Sequence, residues 1–406
     1  MGVVGRGAAA SLTIWLAACA GTRPTEPVEP VAVDATWPLD TAAYRTTSAT
    51  IYLGNLDARI DMLRTRSTQS DAPRLRSTLA GSLYHRYRVL GRLADAEEAA
   101  TLIDAAVAAE PDVAEHRQLR AIIRAGFHRF GAALDDLDAA SHAGAPPEAL
   151  QRTRRDIQLA LGDYAALRQE LRDSGSLSQD FDELAHRADL RLLLGDATGS
   201  EFLYRAAQAQ YRDVNPVPLA WLHVQQGIAL LRQERVAEAR RFFAAAHARI
   251  PQYYLATEHL AECETRLGNY DAARTLYRDV IAQTGNPEFI AALAGLERQA
   301  GNDAEAERLN RDAEAAYSAL MARYPDAFGQ HAAEFLIEIG QGERADALAQ
   351  SNLALRHDIG SWILMAQTAL AVGDVARACA ARAQAVQTAL RPPELAELDA
   401  LAPRCR

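Results

Sequence analysis

The sequence predicts an all-α solenoid of about nine helix-turn-helix units, and three observations carry that expectation. A motif of leucine or valine, glycine, a polar residue and often an aromatic one keeps returning, as Leu161-Gly162-Asp163-Tyr164, Leu194-Gly195-Asp196, Leu267-Gly268-Asn269-Tyr270 and Val372-Gly373-Asp374. Alanine recurs at fixed distances on either side of it. Aromatic residues are only 6 % of the 406-residue chain while apolar residues are 49 %, which is too few rings for a large sandwich or barrel core but enough for stacked helix pairs.

Before the repeats, residues 1–18 carry one charge, Arg6, and then an apolar run from Ala8 through Leu12, Ile14, Trp15 and Leu16 to Ala18. Such a run is short for a membrane span and reads as a secretory signal. It closes in Leu16-Ala17-Ala18-Cys19, which resembles the lipobox of bacterial lipoproteins. The resemblance implies lipidation of Cys19, and Ala20 after it, in place of aspartate, implies the outer membrane, facing the periplasm. The alternative takes Ala18-Cys19-Ala20 as an ordinary A-x-A cleavage site and gives a soluble periplasmic protein. Residues 19–45 carry Pro24, Pro27, Pro30 and Pro38 and read as an extended tether. Within residues 46–76, Leu56, Ile60 and Leu63 mark one short amphipathic helix, expected to cap the array.

The repeats run over residues 77–390. Counting the motif glycine as position 15 of a 34-residue unit, units start at 77, 114, 148, 181, 220, 254, 287, 326 and 359. Seven carry glycine there, and His128 and Glu234 are the exceptions. Each glycine separates two stretches of helical period, where a left-handed backbone lets the chain reverse without a Cβ clash. Position 20 is alanine in seven units, and position 8 is small in seven, from Ala121 and Gly227 to Ala366, which lets paired helices approach closely. Position 24 takes a larger filler, Tyr204, Phe243 or Tyr277, and Pro251 stops a second helix. This pattern resembles the tetratricopeptide repeat, with Trp362 at the family's tryptophan position and Gly227-Ala239-Phe243-Ala246-Pro251 as the fullest match. The resemblance implies a right-handed superhelical solenoid whose ends need caps. The unit at 148 fits least, with Arg155 and Leu167 where small residues belong, and a long interval after the unit at 287 predicts an extended helix ending near Arg323. In residues 391–406, Pro392-Pro393 ends the last repeat, and Leu395, Leu398 and Leu401 predict a final capping helix.

Cys379 lies twelve residues before Arg391 and Cys405 fourteen after it, so an antiparallel return brings them level and predicts a disulfide, which an oxidising compartment permits. Cys263, beside Ala261, reads as a buried filler.

Not one lysine occurs, so all 43 basic residues are arginine. That excludes the P-loop lysine, Schiff-base chemistry and Ser-Lys dyads. A net charge of -10 repels phosphate backbones, so nucleic acid is not an expected partner. No H-E-x-x-H, C-x-x-C or G-x-S-x-G occurs, and Gly340-Gln341-Gly342-Glu343-Arg344-Ala345 lies between two helical stretches rather than after a strand, so it reads as a repeat turn. The chain therefore reads as non-enzymatic, without a cofactor motif.

In tetratricopeptide proteins certain first-helix positions line the concave groove. Carried over, they give Arg152 and Asp156; His186 and Asp189; Glu258, His259, Glu262 and Arg266; and His331, Glu334 and Glu338. A histidine followed three residues later by an acid recurs at His186, His259 and His331, on one helical face each time. These groups suit a basic partner segment or a divalent metal, and equally a solvated polar face. The reading that follows is an outer-membrane scaffold binding periplasmic or outer-membrane proteins in its groove. The alternative is a periplasmic solute- or metal-binding module built on the same groups.

Overall fold

The computed structural model describes residues 45–165, 168–169, 180–388 and 390–405. Among them lie nineteen α-helices and a terminal 3-10 stretch, with no strand. The signal segment, Cys19, the expected tether up to Tyr44, and Leu167 fall outside the described residues. Helix α1 spans Ala49–Gln69, and then come pairs: α2 (Pro73–Leu90) with α3 (Leu93–Ala109), and α4 (Ala114–Gly126) with α5 (Phe130–His142). After α6 (Pro147–Leu161) follow α7 (Phe181–Leu193) with α8 (Ala197–Gln210), and α9 (Pro216–Leu231) with α10 (Val236–Arg249). Next are α11 (Tyr254–Arg266) with α12 (Tyr270–Thr284), and α13 (Pro287–Gln299) with α14 (Asp303–Arg323). Last come α15 (Pro325–Glu338) with α16 (Gly342–Leu355), α17 (Ile359–Ala371) with α18 (Val375–Gln387), and the short α19 (Pro393–Glu397).

The pairing is the hairpin array that the repeat spacing implies. All seven alanines at position 20, Ala96, Ala133, Ala239, Ala273, Ala306, Ala345 and Ala378, are buried at the helix crossings, as are Tyr204, Phe243 and Tyr277. At position 15 the backbone is left-handed in every unit, including the two without glycine, where φ is 56° at His128 and 58° at Glu234. The turn shape is therefore a property of the unit, and glycine is the residue that adopts it at least cost. Gly227 shows why position 8 must be small: a Cβ there would lie 2.5 Å from Cε1 of Phe243.

Neighbouring units are also clipped by charge. Arg240 in α10 reaches Glu264 in α11 at 2.6 Å, and Asn269 in the following turn donates to the same carboxylate at 2.7 Å. One unit later Arg274 in α12 meets Glu297 in α13 at 2.5 Å, and Asn302 donates to it at 2.6 Å. The acids are buried, so each carboxylate needs these partners. In the second unit Asp136 is buried and receives guanidinium groups of Arg117, Arg120 and Arg124.

Three expectations about the ends are sharpened. The first helix is not short: α1 has 21 residues, because helix-compatible residues continue to Ser70 after capping by Ser48. The extended helix before Arg323 is α14, also 21 residues. The final capping helix is broken into α19 and a 3-10 stretch over Leu398–Arg404, where Pro403 supplies no backbone donor; Leu395, Leu398 and Leu401 are nevertheless buried. A disulfide joins Cys379 in α18 to Cys405. Cys263 is wholly buried, and burial pushes its thiol pKa up.

The array winds until its first units touch its last ones. The Thr47 N–H donates to the Val214 carbonyl at 2.7 Å, and Arg249 donates to Thr46 at 2.7 Å. Gln283 donates to the Leu90 carbonyl at 2.7 Å, Tyr324 donates to Glu97 at 3.0 Å, and the rings of Phe127 and Tyr324 lie 5.0 Å apart. The His357 N–H donates to the Leu161 carbonyl at 3.2 Å. The intra-unit turns of the first three units thus rest against junctions between later units.

Candidate functional site

The expected groove residues differ in how far they meet solvent. They all lie on the first helices of their units, but Asp189, Glu258 and His259 are buried, and Asp156 is partly buried. The expectation of an open polar groove is corrected at the three buried positions, because Asp189 packs against Tyr204 of its own unit, and His259, beside Glu258, against Phe243 of the unit before. Arg152 stays half exposed and pairs with Asp182 at 3.2 Å, and Arg266 pairs with Glu262 at 3.4 Å and with Glu234. Glu334 is partly exposed and Glu338 exposed.

Enclosure shifts the titration of these groups. Burial raises the Asp156 carboxyl to about 7 against the pull of Arg152. It raises Asp189 to about 7 as well, although the Tyr204 hydroxyl donates to that carboxylate. His186 is pushed down to about 4 by burial and then by Arg155. His331 goes the other way: burial opposes its charge, but Glu288 at 3.8 Å and Glu334 at 3.4 Å outweigh it and raise it to about 9.

The three histidine-acid repeats therefore differ in character. His186 is held neutral and His331 charged. His259 is stacked on Phe243 at 4.9 Å, with Nδ1 3.1 Å from Glu258 and 3.4 Å from Glu262. Burial raises the Glu258 carboxyl, and the two carboxylates raise His259 despite its own burial. One ring nitrogen and two carboxylate oxygens come within 4.8 Å of one another here. A borderline divalent ion accepts that donor set, and so does a shared proton network.

Sequence reasoning did not foresee a cavity of about 330 Å³ between the early and late units. Tyr87 and Phe127 wall it from one side, Phe289, Tyr317 and Phe328 from the other, and Glu288 and His331 supply charge. It adjoins an acidic cleft that shares Glu288, Tyr317 and His331 and adds Glu262, Arg266, Glu334 and Glu338. His331 and Glu334 had a sequence signal in their spacing, whereas Glu288 had none.

Comparison with known proteins agrees with the repeat reading over part of the chain. Residues 230–296, covering the end of α9 through most of α13, match a tetratricopeptide repeat family model. No curated protein matches the sequence. Among solved structures, yeast Tom70 is 14 % identical, with 88 % of this chain and 87 % of that one covered at a TM-score of 0.37. The human IFIT1 dimer with m7Gppp-AAAA is 14 % identical over 88 % of this chain and 87 % of that one, at 0.43. A tetratricopeptide repeat protein from Parabacteroides merdae is 18 % identical over 55 % of this chain and 99 % of that one, at 0.30. No helix among the described residues is long and apolar enough to cross a membrane.

Proposed function

We propose that this chain is a non-enzymatic protein-interaction scaffold, anchored by a lipid on Cys19 to the periplasmic side of the outer membrane, where it binds envelope proteins. The observation that carries the scaffold reading is the regularity of the array. Nine units repeat one left-handed turn, and the segment 230–296 matches the tetratricopeptide repeat. Stacked helical hairpins present long surfaces suited to helical or extended partner segments. Lipid anchorage is supported by Leu16-Ala17-Ala18-Cys19 closing an apolar run. Binding would use the part of the inner face left accessible, with Arg152, Arg266, Glu334 and Glu338 as its charged groups.

Fractionation and metabolic labelling with a radioactive fatty acid test the placement. The wild type is expected in the outer-membrane fraction carrying label, and Cys19→Ser is expected to lose both. Equal distribution of the two proteins in the soluble periplasm would overturn the anchor. Crosslinking of the tagged protein in its own envelope, with mass spectrometry of the products, is expected to recover specific envelope proteins. Those products should diminish in an Arg152→Glu, Arg266→Glu variant, and unchanged capture would overturn the proposed face.

A further inference from the structure

The cavity between the early and late units does not depend on the scaffold reading, and its chemistry is specific. Its walls include six Phe and Tyr rings: Tyr87 and Phe127 lie across from residues of α13, α14 and α15, and Phe127, Phe289 and Tyr317 are buried. At about 330 Å³ it falls in the range of pockets that hold small organic molecules. Beside it, the cleft places four acids, Glu262, Glu288, Glu334 and Glu338, against two cations, Arg266 and His331. The joint space therefore carries an excess of negative charge next to aromatic rings. A cation gains from both, through Coulomb attraction to the carboxylates and through the negative ring faces. An anion would meet His331 only through the field of Glu288 and Glu334.

We propose that this cavity binds a small organic cation, an amine whose apolar body fills the aromatic chamber while its ammonium group lies toward Glu288 and the acidic cleft. The occupant would touch both superhelical layers, because Tyr87 and Phe127 belong to the first two units and Glu288, Tyr317 and His331 to the seventh and eighth. Binding would hold those layers together and stabilise the closed array.

Calorimetric titration of the full chain with three probes of one shape tests this: 4-phenylbutylamine, 4-phenylbutanol and 4-phenylbutanoate. The amine is expected to bind at least tenfold more tightly than the alcohol, with the carboxylate weakest, and to raise the thermal midpoint. Glu288→Gln is expected to weaken the amine at least tenfold while changing the alcohol less than twofold, and Glu334→Gln provides the same comparison if the first variant folds poorly. Ala316→Trp, which fills the chamber, should abolish binding of amine and alcohol with the helical circular dichroism retained. Equal affinity for all three probes, no amine binding at millimolar concentration, or undiminished binding to the filled variant would overturn the proposal.

Discussion

The Ile359 N–H donates to the phenolic oxygen of Tyr164 at 2.9 Å, across 195 residues of sequence. Tyr164 is the aromatic residue of one repeat motif, and Ile359 opens the first helix of the last unit. Both are buried, so the contact satisfies a helix-terminal donor that water cannot reach. Tyr164→Phe leaves that donor unpaired and is expected to cost about 1–3 kcal/mol. Urea denaturation gives the loss, and amide exchange should show it concentrated around Ile359 and the His357 contact. An unchanged midpoint with unchanged exchange would contradict this role.

The two left-handed residues that are not glycine should respond differently to replacement. Glu234 is exposed, and its αL backbone costs roughly 1–2 kcal/mol, more than its surface pair with Arg266 returns. Glu234→Gly is expected to stabilise the protein by about 0.5–1 kcal/mol in thermal or chemical denaturation. His128 is buried and stacked on Phe130 at 5.3 Å, so His128→Gly is expected to destabilise despite the same backbone relief.

At position 8 the balance reverses. Gly227→Ala gains about 1 kcal/mol of helix propensity, but the added carbon would overlap the buried ring of Phe243, at a cost of about 1–3 kcal/mol. A net loss is expected, largely recovered in the double variant with Phe243→Leu. A double-mutant cycle measures that recovery, and strict additivity of the two changes would remove the steric explanation.

The buried acids predict a pH dependence of definite sign. Asp189 has a folded pKa near 7 and an unfolded value near the ordinary one, so the folded state binds more protons between about pH 4 and 7. Its contribution is fully present below that window and is lost as pH rises through about 7. Asp189→Asn should therefore gain stability relative to wild type as pH increases from 4 to 7, with the difference constant above. His331, raised to about 9, adds a loss between about pH 6.5 and 9 that the Asp189 variant retains. Denaturation midpoints of both proteins across this range provide the check.

The disulfide closes a sequence separation of 26 residues between Cys379 and Cys405. Its loop entropy corresponds to roughly 3.5 kcal/mol of terminal stabilisation. Replacing both cysteines with serine should leave the earlier units folded while exchange accelerates over α18, α19 and the 3-10 stretch. Reduction followed by alkylation should add mass at two thiols beyond Cys263 and any other free cysteine.

Much of this architecture is visible along the sequence because its causes are local. The turns need a left-handed residue at one position, and the helix crossings need small residues at two others, so Gly268, Ala273 and Ala261 declare themselves by spacing. Even the disulfide is legible, since a single reversal at Pro392-Pro393 brings its ends level. What periodicity does not encode is how far the array winds. A tighter superhelix changes no intra-unit spacing, yet it creates the chamber around Phe127 and Phe289. Glu288 has no signal in its own spacing either: its role comes from His331 of the next unit, 3.8 Å away, and from its place at the chamber.

Contacts such as Gln283 with Leu90 and Tyr324 with Glu97 give the array a different folding character from that of an open stack. An open stack approximates a one-dimensional chain of nearest-neighbour couplings, which can fray from either end and unfold piecewise. Here each end is ballast for the middle of the other half, so removing the terminal units should weaken units more than 190 residues away. Unfolding is then expected to be closer to all-or-none, and folding slower, than local hairpin contacts alone would give.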